Sequence, residues 1–258
     1  MNILIAPFVN ALFGFYYLTG NLGWSVVIVT VLIRLLLIPL VLPSLKSAKK
    51  MAELQPRLKK LQEKWGKDKE KLAKAQMDLY KEEGINPLSG CLPQIAQIAV
   101  LIIFFSAFNL VSDYSIGKGT VQGINSHLIS SFQINQDFKF DVGFLGSRMS
   151  DTPSGIFKSG FSALWILPFI LLVGSGALQY LSAKMMMPSP KVDEKMVEKT
   201  KDKEDDMMGM MRTQSLYMMP AMTIFIGWGF SLGMLLYWFV NSAVMLGQQL
   251  VVAKLDKK

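Results

Sequence analysis

Long apolar segments alternate with short charged segments along this chain. A helix needs about 20 mostly apolar residues to cross the hydrocarbon core of a bilayer. The last apolar stretch, 214–253, is twice that length and carries four glycines and serines near 227–233, where we expect it to break. The pattern predicts five spans, at about residues 23–42, 88–110, 161–183, 214–228 and 231–253. The predicted fold class is therefore an all-α polytopic membrane protein.

The first 20 residues are apolar and aromatic but are interrupted by Pro7, Asn10 and Gly14. They fit either a helix lying at the membrane interface or a sixth span. Aromatic rings with polar tips settle at the depth of the lipid headgroups, which favours the interfacial helix. We therefore divide the chain into this helix, residues 1–20, and a core, residues 21–258.

The segment 44–83 reverses the composition, with twelve Lys or Arg against seven acidic residues. Its apolar residues recur at helical spacing on both sides of Gly66. Such a pattern predicts two antiparallel amphipathic helices joined near residues 65–67, a helical hairpin that stands off the membrane. The apolar positions are Leu54, Leu58, Leu61 and Trp65 on one arm and Leu72, Ala75, Leu79 and Tyr80 on the other.

The distribution of basic residues predicts the topology. The 184–212 loop holds seven Lys or Arg and the 111–160 loop four, while residues 1–33 hold none. By the positive-inside rule the hairpin, the 184–212 loop and the C-terminus are cytoplasmic, and the N-terminus and the 111–160 loop are external. Without a basic n-region, residues 1–33 do not resemble a secretory signal peptide. We expect a multi-pass protein of the cell membrane.

Composition excludes several kinds of chemistry. The chain is 51% hydrophobic with a net charge of +8, and it has one cysteine, Cys91, and one histidine, His127. An internal disulfide is thus impossible, and no cluster has metal-ligand spacing. We expect no cofactor, no metal and no enzymatic activity.

Arg34 lies near the middle of the first predicted span. An arginine at the centre of a spanning helix costs about 2.5–3.5 kcal/mol on insertion scales, so such a residue normally faces protein or water. Thr30 lies one turn away on the same helix face, and Gln94 and Gln97 share a face of the second span. The other polar residues at membrane depth are Ser106, Ser175, Gln179, Thr223, Asn241, Ser242, Gln248 and Gln249.

The predicted spans contain no Asp or Glu, so Arg34 has no counter-ion within them. Transporters of protons or sodium usually need intramembrane carboxylates. A lone arginine instead indicates a hydrated site that attracts anionic groups.

The order of these features resembles the YidC/Oxa/Alb family of membrane protein insertases. The resemblance is carried by an arginine in the first span, LQPRLKKLQEKW at 54–65, MDLYKEEGINPLSGCLPQIAQ at 77–97, and the last span with Leu235-Leu236-Tyr237-Trp238, Asn241 and Gln248-Gln249. It covers about residues 20–253.

The resemblance implies five helices around a hydrophilic groove that is open to the cytoplasm and to lipid. Arg34 matches the family's groove arginine and Gln179 a polar groove position. Together with Thr30, Gln94 and Gln97, which lie at membrane depth by their spacing, they form the predicted substrate-binding set. The implied partners are nascent membrane proteins and lipids, with the Sec translocon, the ribosome and the signal recognition particle receptor as candidates. No sequence-specific nucleic acid binding is expected. The long basic tail of mitochondrial members has no match here, so we do not expect stable ribosome tethering.

The predicted function is therefore a membrane protein insertase. The alternative is a small-solute or ion transporter or channel, which would show inverted repeats and intramembrane carboxylates. A scaffold that docks partners through its hairpin would leave Arg34 unexplained.

Overall fold

The structure is a computed structural model, and it describes residues 2–66, 68–84, 92–160, 163–186 and 213–255. Within them the chain is mostly helical, with one two-stranded hairpin and an irregular stretch between residues 116 and 160. The helices are α1 (Asn2–Thr19), α2 (Leu22–Leu36), α3 (Ile38–Glu53), α4 (Gln55–Trp65), α5 (Lys69–Glu82), α6 (Leu92–Ser115), α7 (Val121–Asn125), α8 (Pro153–Lys158), α9 (Ile166–Met186), α10 (Met219–Gly227) and α11 (Leu232–Leu255). The strands are β1 (Gly143–Phe144) and β2 (Ser147–Arg148).

Three of the described helices are long and apolar enough to cross a membrane: Ala96–Ser115, Ala163–Met186 and Leu232–Lys254. If the bent pair of helices Leu22–Leu36 and Ile38–Ser44 counts as one span, the number of candidate spans rises to four. This confirms the all-α polytopic membrane fold. The segment 214–227, a π-helical turn followed by α10, is shorter than these helices. A total of five spans therefore stays a prediction.

The first predicted span is not one straight helix, because the chain bends by 57° between α2 and α3. Pro39 lies at the start of α3 and has no N–H to donate to the carbonyl of Leu35. The loss of that hydrogen bond explains why the helix axis changes direction here. As a result, Arg34 lies in the last turn of α2 instead of in the middle of a continuous helix.

Helix α11 is the centre of the bundle and contacts α2, α6 and α9. On α6 the residues Phe104, Ala107, Phe108 and Val111 are fully buried and share one face. The approach to α11 is close, since a Cβ at Gly233 would lie 2.0 Å from the Phe108 ring. Only glycine permits the two helices to cross at this distance.

Helix α1 packs against α2 and α6. Its residues Val9, Leu12 and Phe13 are buried, whereas Leu18 is exposed. The helix therefore has one face against protein and one face free. Whether α1 lies at the membrane interface, and the division of the chain at residue 20, stay predictions.

Residues 116–160, here called the cap segment, close one end of the bundle. Asn10 donates to the His127 carbonyl at 2.7 Å, and the Tyr16 hydroxyl accepts from the Asp141 amide at 2.7 Å. Backbone bonds join Leu232 to Asp151 and Gly233 to Met149. The segment predicted as a loop from 111 thus begins later, after α6 ends at Ser115, and most of it is bound to α1, α2 and α11.

The other end carries a helical hairpin formed by α4 and α5. Leu54, Leu58 and Leu79 form its small core, with Met51, Leu61 and Tyr80 partly buried around them. Arg57 near the start of α4 forms ion pairs with Glu82 and Glu83 at the end of α5, so the two arms run antiparallel. The hairpin joins the bundle through α3. Most of the predicted 184–212 loop, residues 187–212, lies outside the described residues.

Candidate functional site

Arg34 is buried between α2 and α11, with 5% of its surface exposed. Its Nε donates to Asn241 Oδ1 at 2.5 Å, and its Nη2 lies 3.8 Å from Met245 Sδ. The Arg34 carbonyl accepts from Gln248 Nε2 at 3.1 Å. Positions 241, 245 and 248 are four and three residues apart, so all three partners lie on one face of α11.

The bend after Leu36 helps to hold the guanidinium. The last carbonyls of a helix have no partners within it and carry a partial negative charge that stabilises a cation nearby. Arg34 occupies this last turn of α2. Gln248 pairs with its carbonyl, so both the backbone and the side chain of Arg34 are bound to α11.

The charge of Arg34 is not neutralised within the described part of the chain. Ion pairs among the described residues include those of Arg57 and Lys71 in the hairpin, and none of them involves Arg34. Its partners are an amide and a thioether, both neutral. The site is therefore a buried cation held by neutral groups, a state in which a carboxylate or phosphate would bind more strongly than the present partners.

Gln97 contacts the same face of α11 as Arg34 does. Gln97 Nε2 donates to the Tyr237 hydroxyl at 3.1 Å. Tyr237 lies one turn before Asn241 on α11, and its ring stacks on Phe104 at 4.2 Å between centroids. Arg34 and Gln97, from α2 and α6, thus contact neighbouring positions of α11.

The remaining predicted site residues lie elsewhere or are engaged locally. The Thr30 hydroxyl is buried and donates to the Val26 carbonyl of its own helix at 2.6 Å. Gln179 Oε1 accepts from Thr223 Oγ1 at 2.8 Å, which links α9 to α10. The side chain of Gln94 lies outside the described residues. An aqueous groove lined by all five residues stays a prediction.

The predicted set omitted the partners on α11. Asn241 and Gln248 were among the polar residues noted at membrane depth, and their spacing of seven places them on one helix face. That spacing was the available signal. Tyr237 and Met245 carried no such signal, because aromatic and thioether side chains are common in apolar helices.

A further polar pair joins α9 to α11: Ser182 Oγ donates to Gln249 Oε1 at 2.9 Å, and both residues are buried. Helix α11 therefore makes polar contacts with each of α2, α6 and α9, which involve Arg34, Gln97 and Ser182. Polar pairs of this kind hold membrane helices in a defined arrangement where the hydrophobic effect cannot.

Comparisons with known proteins agree with this membrane fold. The family model described as 60Kd inner membrane protein matches residues 14–258. A relative from Streptomyces avermitilis, named membrane protein insertase YidC, is 31% identical over 90% of this chain and 51% of its own length. A relative of the same name from Fusobacterium nucleatum is 29% identical over 91% of this chain and 87% of its own length. One from Pelobacter propionicus is 28% identical, and the chain spans 39% of its length.

Proposed function

Because the chain belongs to the 60Kd inner membrane protein family, we propose that it is a membrane protein insertase. It receives nascent membrane proteins in a groove open to the cytoplasm and to lipid, and it releases them sideways into the bilayer. Relatives named membrane protein insertase YidC support the activity. The hairpin, the 184–212 loop and the C-terminus are cytoplasmic in this proposal, and the N-terminus is external.

The observation that carries the mechanism is the buried guanidinium of Arg34 with neutral partners. An acidic residue in the tail of a client displaces the Asn241 amide and forms a charge-assisted bond with Arg34. Two unit charges 4 Å apart attract by about 4 kcal/mol at an effective dielectric constant of 20. This attraction draws the polar tail partway across the membrane.

The apolar helix of the client then supplies the driving force for release. Burial of each CH₂ group contributes about 0.8 kcal/mol, so a span of some 20 apolar residues outweighs the desolvation of a short tail. The process needs no catalytic residue and no cofactor. The hairpin receives the incoming chain or its targeting factors, for which the Sec translocon, the ribosome and the signal recognition particle receptor are candidates.

Insertion into proteoliposomes that contain only this protein tests the proposal. A single-span client with an acidic tail is compared with the same client whose tail acids are changed to amides, and protease protection reports insertion. We expect Arg34→Ala to lower insertion of the acidic client about tenfold, a change worth ~1.4 kcal/mol. Arg34→Lys retains most of it, and the amide client is little affected.

Two outcomes would contradict the proposal at different levels. If the unaltered protein inserted neither client, a transporter, channel or scaffold would be the better account. Equal insertion of the acidic client by the unaltered protein and Arg34→Ala would leave the insertase activity standing but remove the role of the charge.

A further inference from the structure

The turn between β1 and β2 carries an unusual residue. Leu145 and Gly146 form this two-residue turn with φ of 48° and 82°. Turns with two positive φ angles favour Asn followed by Gly, because an aliphatic side chain is strained in this conformation. Leu145 is moreover 72% exposed. A leucine here is unfavourable for the turn and unfavourable in water, so a contact outside the chain would account for it.

A cavity of about 310 Å³ lies between this turn and the beginning of α9. Its volume falls in the range of small-ligand pockets, about 300–1,000 Å³. The side chains that line it are almost all aliphatic, which selects an apolar occupant. They include Leu145, Ala163, Leu164, Ile166, Leu167 and Ile170.

The cavity opens onto the exposed apolar face of a helix that is long enough to span the membrane. The stretch Ala163–Met186 is one of the three described helices long and apolar enough to cross the membrane. At its start, Ile166 and Ile170 line the cavity and are 62% and 50% exposed. An acyl chain that lies along this face of α9 can therefore enter the cavity without crossing water.

A cluster of three aromatic rings indicates the depth of the cavity in the membrane. Phe157, Trp165 and Trp228 lie with their centroids 5.3 to 5.7 Å apart. Tryptophan is enriched at the boundary between membrane and water. Trp165 lies between the cavity-lining residues Leu164 and Ile166, so an interfacial position of this cluster would place the cavity at the level of the upper acyl chains.

We infer that this cavity binds an acyl chain of a phospholipid from the leaflet on the cap-segment side, with Leu145 inserted beside it as an anchor. This contact fixes the cap segment to the bilayer surface. The inference requires that α9 spans the membrane, and it does not depend on the insertase activity.

Photolabelling by lipid tests this site. The full chain is reconstituted with phosphatidylcholine that carries a diazirine in the upper half of one acyl chain, and labelled residues are identified by mass spectrometry. We expect Leu145 and the segment 163–170 to be labelled at least fivefold more than Gln136, an exposed residue of the cap segment. Phe225 on α10, 83% exposed, serves as the positive reference for a lipid-facing residue.

Two variants separate binding in the cavity from general contact with lipid. Ala163→Phe fills the cavity and is expected to lower labelling of Leu145 at least threefold, while labelling of Phe225 stays unchanged. Leu145→Asn suits the turn and keeps the fold, and it is expected to lower labelling of residues 163–170 by about half. The inference is overturned if Leu145 is labelled no more than Gln136, or if neither variant changes the labelling.

Discussion

The two ends of the bundle are built in opposite ways. At one end the cap segment is tied to α1, α2 and α11 by hydrogen bonds from buried or half-buried side chains, such as Asn10 and Tyr16. At the other end the hairpin has a core of three buried leucines and ion pairs on its surface. We therefore expect the cap segment to resist local opening and the hairpin to open more easily.

Arg34 lies between the cap segment and the hairpin, toward the hairpin. It occupies the last turn of α2, while Asn21, which caps the start of α2, donates to the Gly143 carbonyl of the cap segment. The side-chain partners of Arg34 are neutral groups on α11, and in the proposed mechanism the acidic group of a client takes the place of Asn241. Under the proposed mechanism we expect a polar tail to enter from the hairpin side, because the cap segment is held over the opposite end by side-chain hydrogen bonds from Asn10, Tyr16 and Asn21.

The largest expected effect is on the closed end. Phe13 is fully buried, and its ring meets those of Phe138 and Phe140 in the cap segment. We expect Phe13→Ala to destabilise the bundle by about 3–5 kcal/mol, since it removes a large ring and leaves a cavity. Thermal unfolding in detergent measures this loss.

Leu18→Ala is the matched control, because Leu18 lies on the same helix and is 79% exposed. Its effect should stay within about 0.5 kcal/mol, as for most exposed positions. Similar losses for the two variants would mean that the cap segment does not lock α1 to the bundle.

A smaller and local effect is expected in the hairpin. Leu58→Ala removes one of the three buried leucines, at a cost of about 2 kcal/mol, the lower end of the range for such changes. Amide hydrogen exchange should accelerate in α4 and α5 while the rest of the bundle keeps its protection. Met77→Ala, at an exposed position of α5, should change neither. Faster exchange throughout the bundle would show that the two ends are not independent.

The helical elements could be predicted because their patterns are local. The leucine spacing in 54–58 and the position of Leu79 reflect the helical period, and the structure buries those residues. The bend at Leu37 was foreseeable in kind, since Pro39 and Pro43 lie there. Its size was not, because the packing of α3 against other helices sets the angle.

The cap segment and the site could be predicted only in part, because both depend on contacts distant in sequence. Phe138 and Phe140 lie in a polar stretch, and their partner Phe13 lies more than 120 residues earlier. Arg34 was identified from its cost in an apolar helix. Asn241, which holds it, is 207 residues away, and no local pattern joins the two.

The smallest expected effect concerns the charge of Arg34, which lies between the cap segment and the hairpin. Asn241→Asp places a carboxylate where the amide oxygen now accepts from Arg34 Nε at 2.5 Å. The resulting buried ion pair neutralises the guanidinium, so the acidic tail of a client gains nothing by displacing its partner. We expect the preference for the acidic client over its amide counterpart to fall about fivefold, which corresponds to ~1 kcal/mol.

Asn241→Leu separates this electrostatic effect from a structural one. It removes the same hydrogen bond but leaves the guanidinium charged and without that partner, so the preference for the acidic client should persist or rise. Both variants are assayed in proteoliposomes with the paired clients, and thermal unfolding confirms that each is folded. If both lowered the preference equally, Asn241 would act by holding Arg34 in place. If only Asn241→Asp lowers the preference for the acidic client, the client must interact with the unneutralised charge of Arg34.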